Sequence, residues 1–145
     1  MTSALGSEEL AILATSTTAV RVSLHVLAAS IWVGGMITVA GLLPTLRGLG
    51  QDAPRKIARA FSRLQWPAYV VVVLTGIWNV QADHPSTQGH AWNIVLGVKI
   101  AVVLVAGLAA YAHQRSRTRA GLAAFGGVAG VASLAALVLG VFLAG

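Results

Sequence analysis

VSLHVLAASIWVGGMITVAGLL, from Val22 to Leu43, is the stretch on which the reading of the whole chain turns. It carries no formal charge, and at about 1.5 Å per residue a helix of this length crosses the roughly 30 Å of a bilayer's hydrocarbon. A core helix of a water-soluble domain is ordinarily shorter and keeps a charged face. His25 lies about one turn inside the stretch, and Trp32 follows seven residues later, just before Gly34 and Gly35.

The totals agree with a membrane reading. Among 145 residues, 57% are apolar and only 10% charged, against roughly 25% charged in a soluble domain. The net charge of +6 does not mark a nucleic-acid surface, because the basic residues sit between apolar blocks instead of covering one face. They read as topology signals. The absence of cysteine excludes disulfides and thiolate metal sites. The acidic pair Glu8-Glu9, with no basic residue before it, argues against a cleaved signal peptide.

Working outward from Val22, residues 1–20 read as an interfacial segment or an extension of the first span, with Ser7 placed to cap a short helix. Arg21 marks one edge of the hydrocarbon, and Pro44 with Arg47 marks the other. A loop is expected from Gly48 to Ala53. Over residues 55–64, Arg55, Lys56, Arg59 and Arg63 fall on one arc of a helical wheel. Ile57, Ala60, Phe61 and Leu64 fall opposite, which is the pattern of a short amphipathic helix in the headgroup layer. Further spans follow at about 64–80, 91–112 and 122–143. The valine run of the second favours strand, but in lipid only a helix satisfies the backbone. The expected fold is therefore all-α: one membrane domain, a polytopic transmembrane four-helix bundle with a short basic amphipathic helix before the second span.

Arginine and lysine set the orientation. Arg47, Arg55, Lys56, Arg59, Arg63, Arg115, Arg117 and Arg119 lie in the first and third loops, and the second loop has none. The positive-inside rule then puts both termini and the second loop outside the membrane. In the fourth span, Gly126 and Gly130, then Ala132, Ala136 and Gly140, recur at intervals of four. Such spacing either lets a second copy or a partner subunit approach closely, or reflects the ordinary composition of membrane helices.

Few side chains carry chemistry. His25 shares a stripe with Ala29, Trp32 and Met36, and faces the bundle because an imidazole gains nothing from lipid. It suits a metal ion or haem iron, or else a hydrogen-bonded structural role. Lys99 lies about 12 Å into the third span by helical rise. An ammonium there costs on the order of 3 kcal/mol unless a partner or water compensates it. It reads either as a proton-transfer group or carboxylate partner, or as a snorkelling anchor. Asp83, His84 and His90 offer a carboxylate and two imidazoles for Cu(II) or Zn(II) at an outer mouth, or form a plain polar loop. His113, beside three arginines, reads as a helix-end residue. No motif for nucleotide binding or classical hydrolysis is present.

The order His25-x6-Trp32-x-Gly34-Gly35, Phe61-Ser62-Arg63, Leu74-Thr75-Gly76 and Val98-Lys99-Ile100 resembles the copper-resistance protein D (CopD-like) family of bacterial membrane proteins. The likeness spans about residues 20–115. It implies a multi-pass protein of the bacterial cytoplasmic membrane engaged in copper uptake or homeostasis, with His25 a copper contact. That family is similar in turn to the HemJ-type protoporphyrinogen oxidases, which implies the alternative of haem b with His25 axial, Trp32 nearby and Lys99 as proton or propionate partner. Met1 and Met36 are the sole methionines, so a soft-ligand path for Cu(I) is missing. A third possibility is an accessory membrane subunit without chemistry of its own.

Overall fold

The computed structural model describes residues 2–144, apart from the side chains of residues 2–5 and 8. Four long helices account for nearly all of it: α1 (Thr2–Gly48), α2 (Ala53–Asp83), α3 (His90–Arg115) and α4 (Arg119–Ala144). There is no strand among the described residues. Each helix is long and apolar enough to cross a membrane. α1 packs along α2, and α3 packs along α4. The two hairpins meet chiefly where α1 touches α4.

The helices run further than the apolar pattern alone suggests. α1 has 47 residues, about 70 Å at 1.5 Å per residue, and contains both the described part of the N-terminal segment, residues 2–20, and Pro44. Ser7 therefore lies inside a helix and is no N-cap. The basic residues of 55–64 are the opening turns of α2 rather than a separate helix. Of its apolar arc, Phe61 is turned partly inward, whereas Ile57, Ala60 and Leu64 stay exposed. The chain enters α2 through Pro54 at a position that needs no N–H donor, and Pro67 is carried within the helix.

Connections are short and locally satisfied. Gly50, with φ of 130°, makes the turn before α2. At the other end His84 takes a left-handed conformation (φ 47°) and terminates α2. A single 3-10 turn, Pro85–Thr87, follows. Asn93 reaches back from α3 to the Pro85 carbonyl at 3.0 Å, and Gln88 donates to the Asp83 carbonyl at 3.0 Å. Thr118 caps α4 by accepting the Gly121 N–H at 3.1 Å.

The interior is built from small residues. Ala28, Ala68, Ala106, Ala109, Ala110, Ala129 and Ala132 are buried, three of them (Ala109, Ala110 and Ala129) in one cluster with Trp32 and Val33, while leucines and valines line the outside. Water would penalise that exterior. It is the distribution that close helix packing in hydrocarbon favours, where small residues let backbones approach. Trp32 is the central large residue. Its Nε1–H donates to Ser133 Oγ at 2.8 Å, and its ring lies 4.6 Å from Tyr69 and 5.9 Å from Trp66. One indole thus joins α1, α2 and α4.

The Gly34-Gly35 pair divides cleanly. A Cβ at Gly35 would enter the space of the Phe61 ring, whereas one at Gly34 meets nothing within 4 Å. Gly35→Val is therefore expected to destabilise the fold by about 1–3 kcal/mol, the usual range for overpacking. Gly34→Ala should be neutral. Denaturation in detergent checks both, and the combination with Phe61→Ala should recover part of the Gly35→Val loss.

Candidate functional site

A polar ladder runs between α1 and α2 at the end of the bundle nearest His84. On α1 its rungs are Arg21 and His25, one turn apart. On α2 they are Thr75, Asn79 and Asp83, each separated by four residues and so sharing one face. Because the helices are antiparallel, Arg21 meets Asn79 and Asp83 while His25 meets Thr75.

Arg21 is buried and fully engaged. Its Nη1 donates to the Asn79 carbonyl at 3.0 Å and to Asp83 Oδ1 at 3.3 Å, and Nη2 reaches the same carboxylate oxygen at 3.4 Å. The Arg21 side chain is 7% exposed and that of Asp83 44%, so the pair closes the ladder toward the surface. Asn79 Oδ1 is buried without a hydrogen-bond partner among the described residues. A lone acceptor of this kind is an open valence in the ladder.

The rung at His25 fixes a tautomer. Thr75 Oγ lies 2.5 Å from the Val71 carbonyl and 3.2 Å from that of Val72. Both oxygens can only accept, so the one hydroxyl proton goes to them. With its hydroxyl turned to these carbonyls, the Thr75 oxygen accepts from His25 Nδ1, 2.8 Å away, in the tautomer that carries its proton there. With the proton on Nδ1, the lone pair is on Nε2. A histidine held through one nitrogen by an outer partner is how proteins present the other nitrogen to a metal.

Lys99 approaches from α3. It is half-buried and stands within electrostatic reach of both His25 and Asp83. Among the described residues it makes no hydrogen bond or ion pair. The missing side chain at Gly140 leaves it room, since a Cβ there would lie 3.1 Å from Lys99 Nζ. The small residues of α4 thus serve side chains within the bundle as well as helix contact. Gly126 likewise leaves space for His113, whose Nδ1–H donates to the Leu122 carbonyl at 2.8 Å. Gly130 meets nothing within 4 Å.

The second-loop residues are arranged differently from the metal-loop expectation. Asp83 is taken up by Arg21. His84 is spent on ending α2, and His90 begins α3; both are exposed. Among the described residues no three histidine, aspartate or glutamate side chains are gathered to hold a metal ion. Trp32 is buried in the core with its indole N–H already committed to Ser133.

Arg21, Thr75 and Asn79 are the parts of this site that sequence reading missed. Arg21 reads as a membrane-edge marker, although its spacing of four from His25 places both on one stripe. The run Thr75, Asn79, Asp83 at the same interval was the available signal on α2. Comparison with known proteins adds nothing to these residues: no family model, no curated protein and no solved structure matches the chain.

Proposed function

We propose that the chain is a multi-pass protein of a bacterial cytoplasmic membrane, its arginine-rich end in the cytoplasm, and that His25 Nε2 would hold the iron of a b-type haem. The function that follows is electron transfer or oxidation of a membrane-soluble substrate, as the likeness to HemJ-type proteins implies. One observation carries the reading: the Thr75 hydroxyl holds the Nδ1 side of His25, the histidine that lies well inside α1 against α2.

The donor set favours haem over a copper ion held by the chain alone. A copper ion held by protein alone needs several donors, and no group of three is assembled among the described residues. Haem brings four nitrogens of its own and asks the chain for one imidazole. Lys99, with no anion bonded to it among the described residues, suits a propionate, whereas Arg21 is already committed to Asp83. When bound, the haem supplies one-electron chemistry, and its protein levers are the axial ligand and the groups around it.

The absorbance of protein purified from haem-sufficient cells is the test. A Soret band that is absent from His25→Ala supports the reading. A colourless protein that binds copper stoichiometrically, more weakly after the same substitution, would replace it with copper uptake or homeostasis. Binding of neither would favour an accessory membrane subunit.

A further inference from the structure

At the opposite end of the bundle, α2 and α3 do not pack directly against each other. Side chains bridge them: Tyr69 Oη donates to the Val103 carbonyl at 2.9 Å, and Trp66 Nε1 donates to Gln114 Oε1 at 3.0 Å. These props hold open an apolar groove of about 270 Å³, lined by Trp66, Tyr69, Leu104, Gly107, Leu108 and Tyr111. Gly107 is part of its shape, because a Cβ there would enter the space of the Tyr69 ring. Leu108 is 70% exposed and lies along the groove.

The groove ends in positive charge. The Arg115 guanidinium sits 4.8 Å above the Tyr111 ring, and Arg63 stands one turn before Trp66 on α2. Arg47, Arg55, Lys56, Arg59, Arg117 and Arg119 belong to the same end, where Asp52 is the one acid. Among the described residues the ion pair Arg21–Asp83 lies at the other end, so these cations have no carboxylate partner. An apolar slot between spans with unpaired arginine at its mouth matches a lipid with an acyl chain and a negative headgroup.

We infer that this groove binds one anionic phospholipid, an acyl chain lying along Leu104 and Leu108 and the phosphate held by Arg115. The site is independent of the haem reading, since none of its residues belongs to the ladder around His25. Aromatic walls and a guanidinium stacked on one of them give the bound lipid a fixed place, whereas scattered basic residues would attract headgroups without a stoichiometry.

The test is native mass spectrometry of the full chain in detergent, titrated with phosphatidylglycerol and separately with phosphatidylcholine. A one-to-one adduct with phosphatidylglycerol, formed in preference to phosphatidylcholine, is expected. Arg115→Gln should weaken it about fivefold, corresponding to roughly 1 kcal/mol for one cation at the surface. Leu108→Trp, an exposed position where added bulk fills the groove, should remove the adduct, and Arg117→Gln should leave it. Equal binding of the two lipids would overturn the proposal. So would an adduct that survives Leu108→Trp, or one weakened as much by Arg117→Gln as by Arg115→Gln.

Discussion

On the haem reading, His25→Ala is expected to remove the Soret band entirely, and Thr75→Val to weaken haem binding about ten- to a hundredfold without abolishing it. The two effects differ because His25 would hold the iron itself, whereas Thr75 holds only the imidazole. Alanine at residue 25 deletes the nitrogen that donates. Valine at residue 75 keeps the shape of the threonine side chain but takes away the oxygen that accepts His25 Nδ1–H at 2.8 Å. The imidazole then has no fixed tautomer and no fixed plane, so Nε2 is presented only part of the time. Thr75→Ser, which restores a hydroxyl able to donate to the Val71 carbonyl, should recover most of the loss. The measurement is a haem titration followed at the Soret maximum, with helical content checked by circular dichroism. An unchanged affinity in Thr75→Val would mean that the hydrogen bond does not orient the ring. A Soret band that persists in His25→Ala would place the iron on another histidine, His113 being the next candidate because its Nδ1–H is also engaged by a carbonyl.

How far these features were legible before any coordinates existed depends on the range of the forces involved. The four apolar blocks, and the partition of arginine between loops, come from transfer free energies summed over many residues, so they survive ignorance of packing. Helix ends do not. The Ser7 region looks like a start and residues 55–64 like a separate helix, yet α1 and α2 run through both. Hydrogen bonding along a helix continues wherever no residue breaks it, and neither Thr15 nor the Arg55–Arg63 arc does. Thr15, Ser16 and Thr17 simply turn their hydroxyls back to carbonyls one turn earlier.

The candidate site was half visible for a related reason. His25 and Lys99 stand out because ionisable groups in apolar runs are expensive. Thr75 and Asn79 are cheap residues that any membrane helix tolerates, and their meaning arises only when α1 is laid antiparallel on α2. Asp83 shows the reverse case. Its neighbours in sequence, His84 and His90, suggested a metal loop, whereas its neighbour in space is Arg21, sixty-two residues away. Pairing with that guanidinium ties Asp83 Oδ1 to α1 instead of to the two loop histidines.

Lys99→Met should move stability and ligand binding in opposite directions. Lys99 is an ionisable amine inside a span, with no hydrogen bond or ion pair among the described residues. Placing its charged form near the centre of a span costs about 3 kcal/mol on the insertion scale. Methionine keeps the unbranched stem, fits beside Gly140 and brings no charge. Asp83 is not orphaned by the change, because Arg21 retains it at 3.3 Å. The apo variant is therefore expected to resist denaturation better than the native chain, by up to about 3 kcal/mol. The same substitution deletes the cation assigned to a propionate, and a charge-assisted contact of that kind contributes about 1.5–3 kcal/mol. Haem affinity should accordingly fall by roughly ten- to a hundredfold, at 1.4 kcal/mol for each factor of ten. Unfolding of the apo protein in mixed micelles and haem titration of the same preparation read the two quantities separately. A variant that is less stable and binds haem normally would make Lys99 a structural anchor. One that is more stable and binds less identifies a residue kept for its ligand at the expense of the fold.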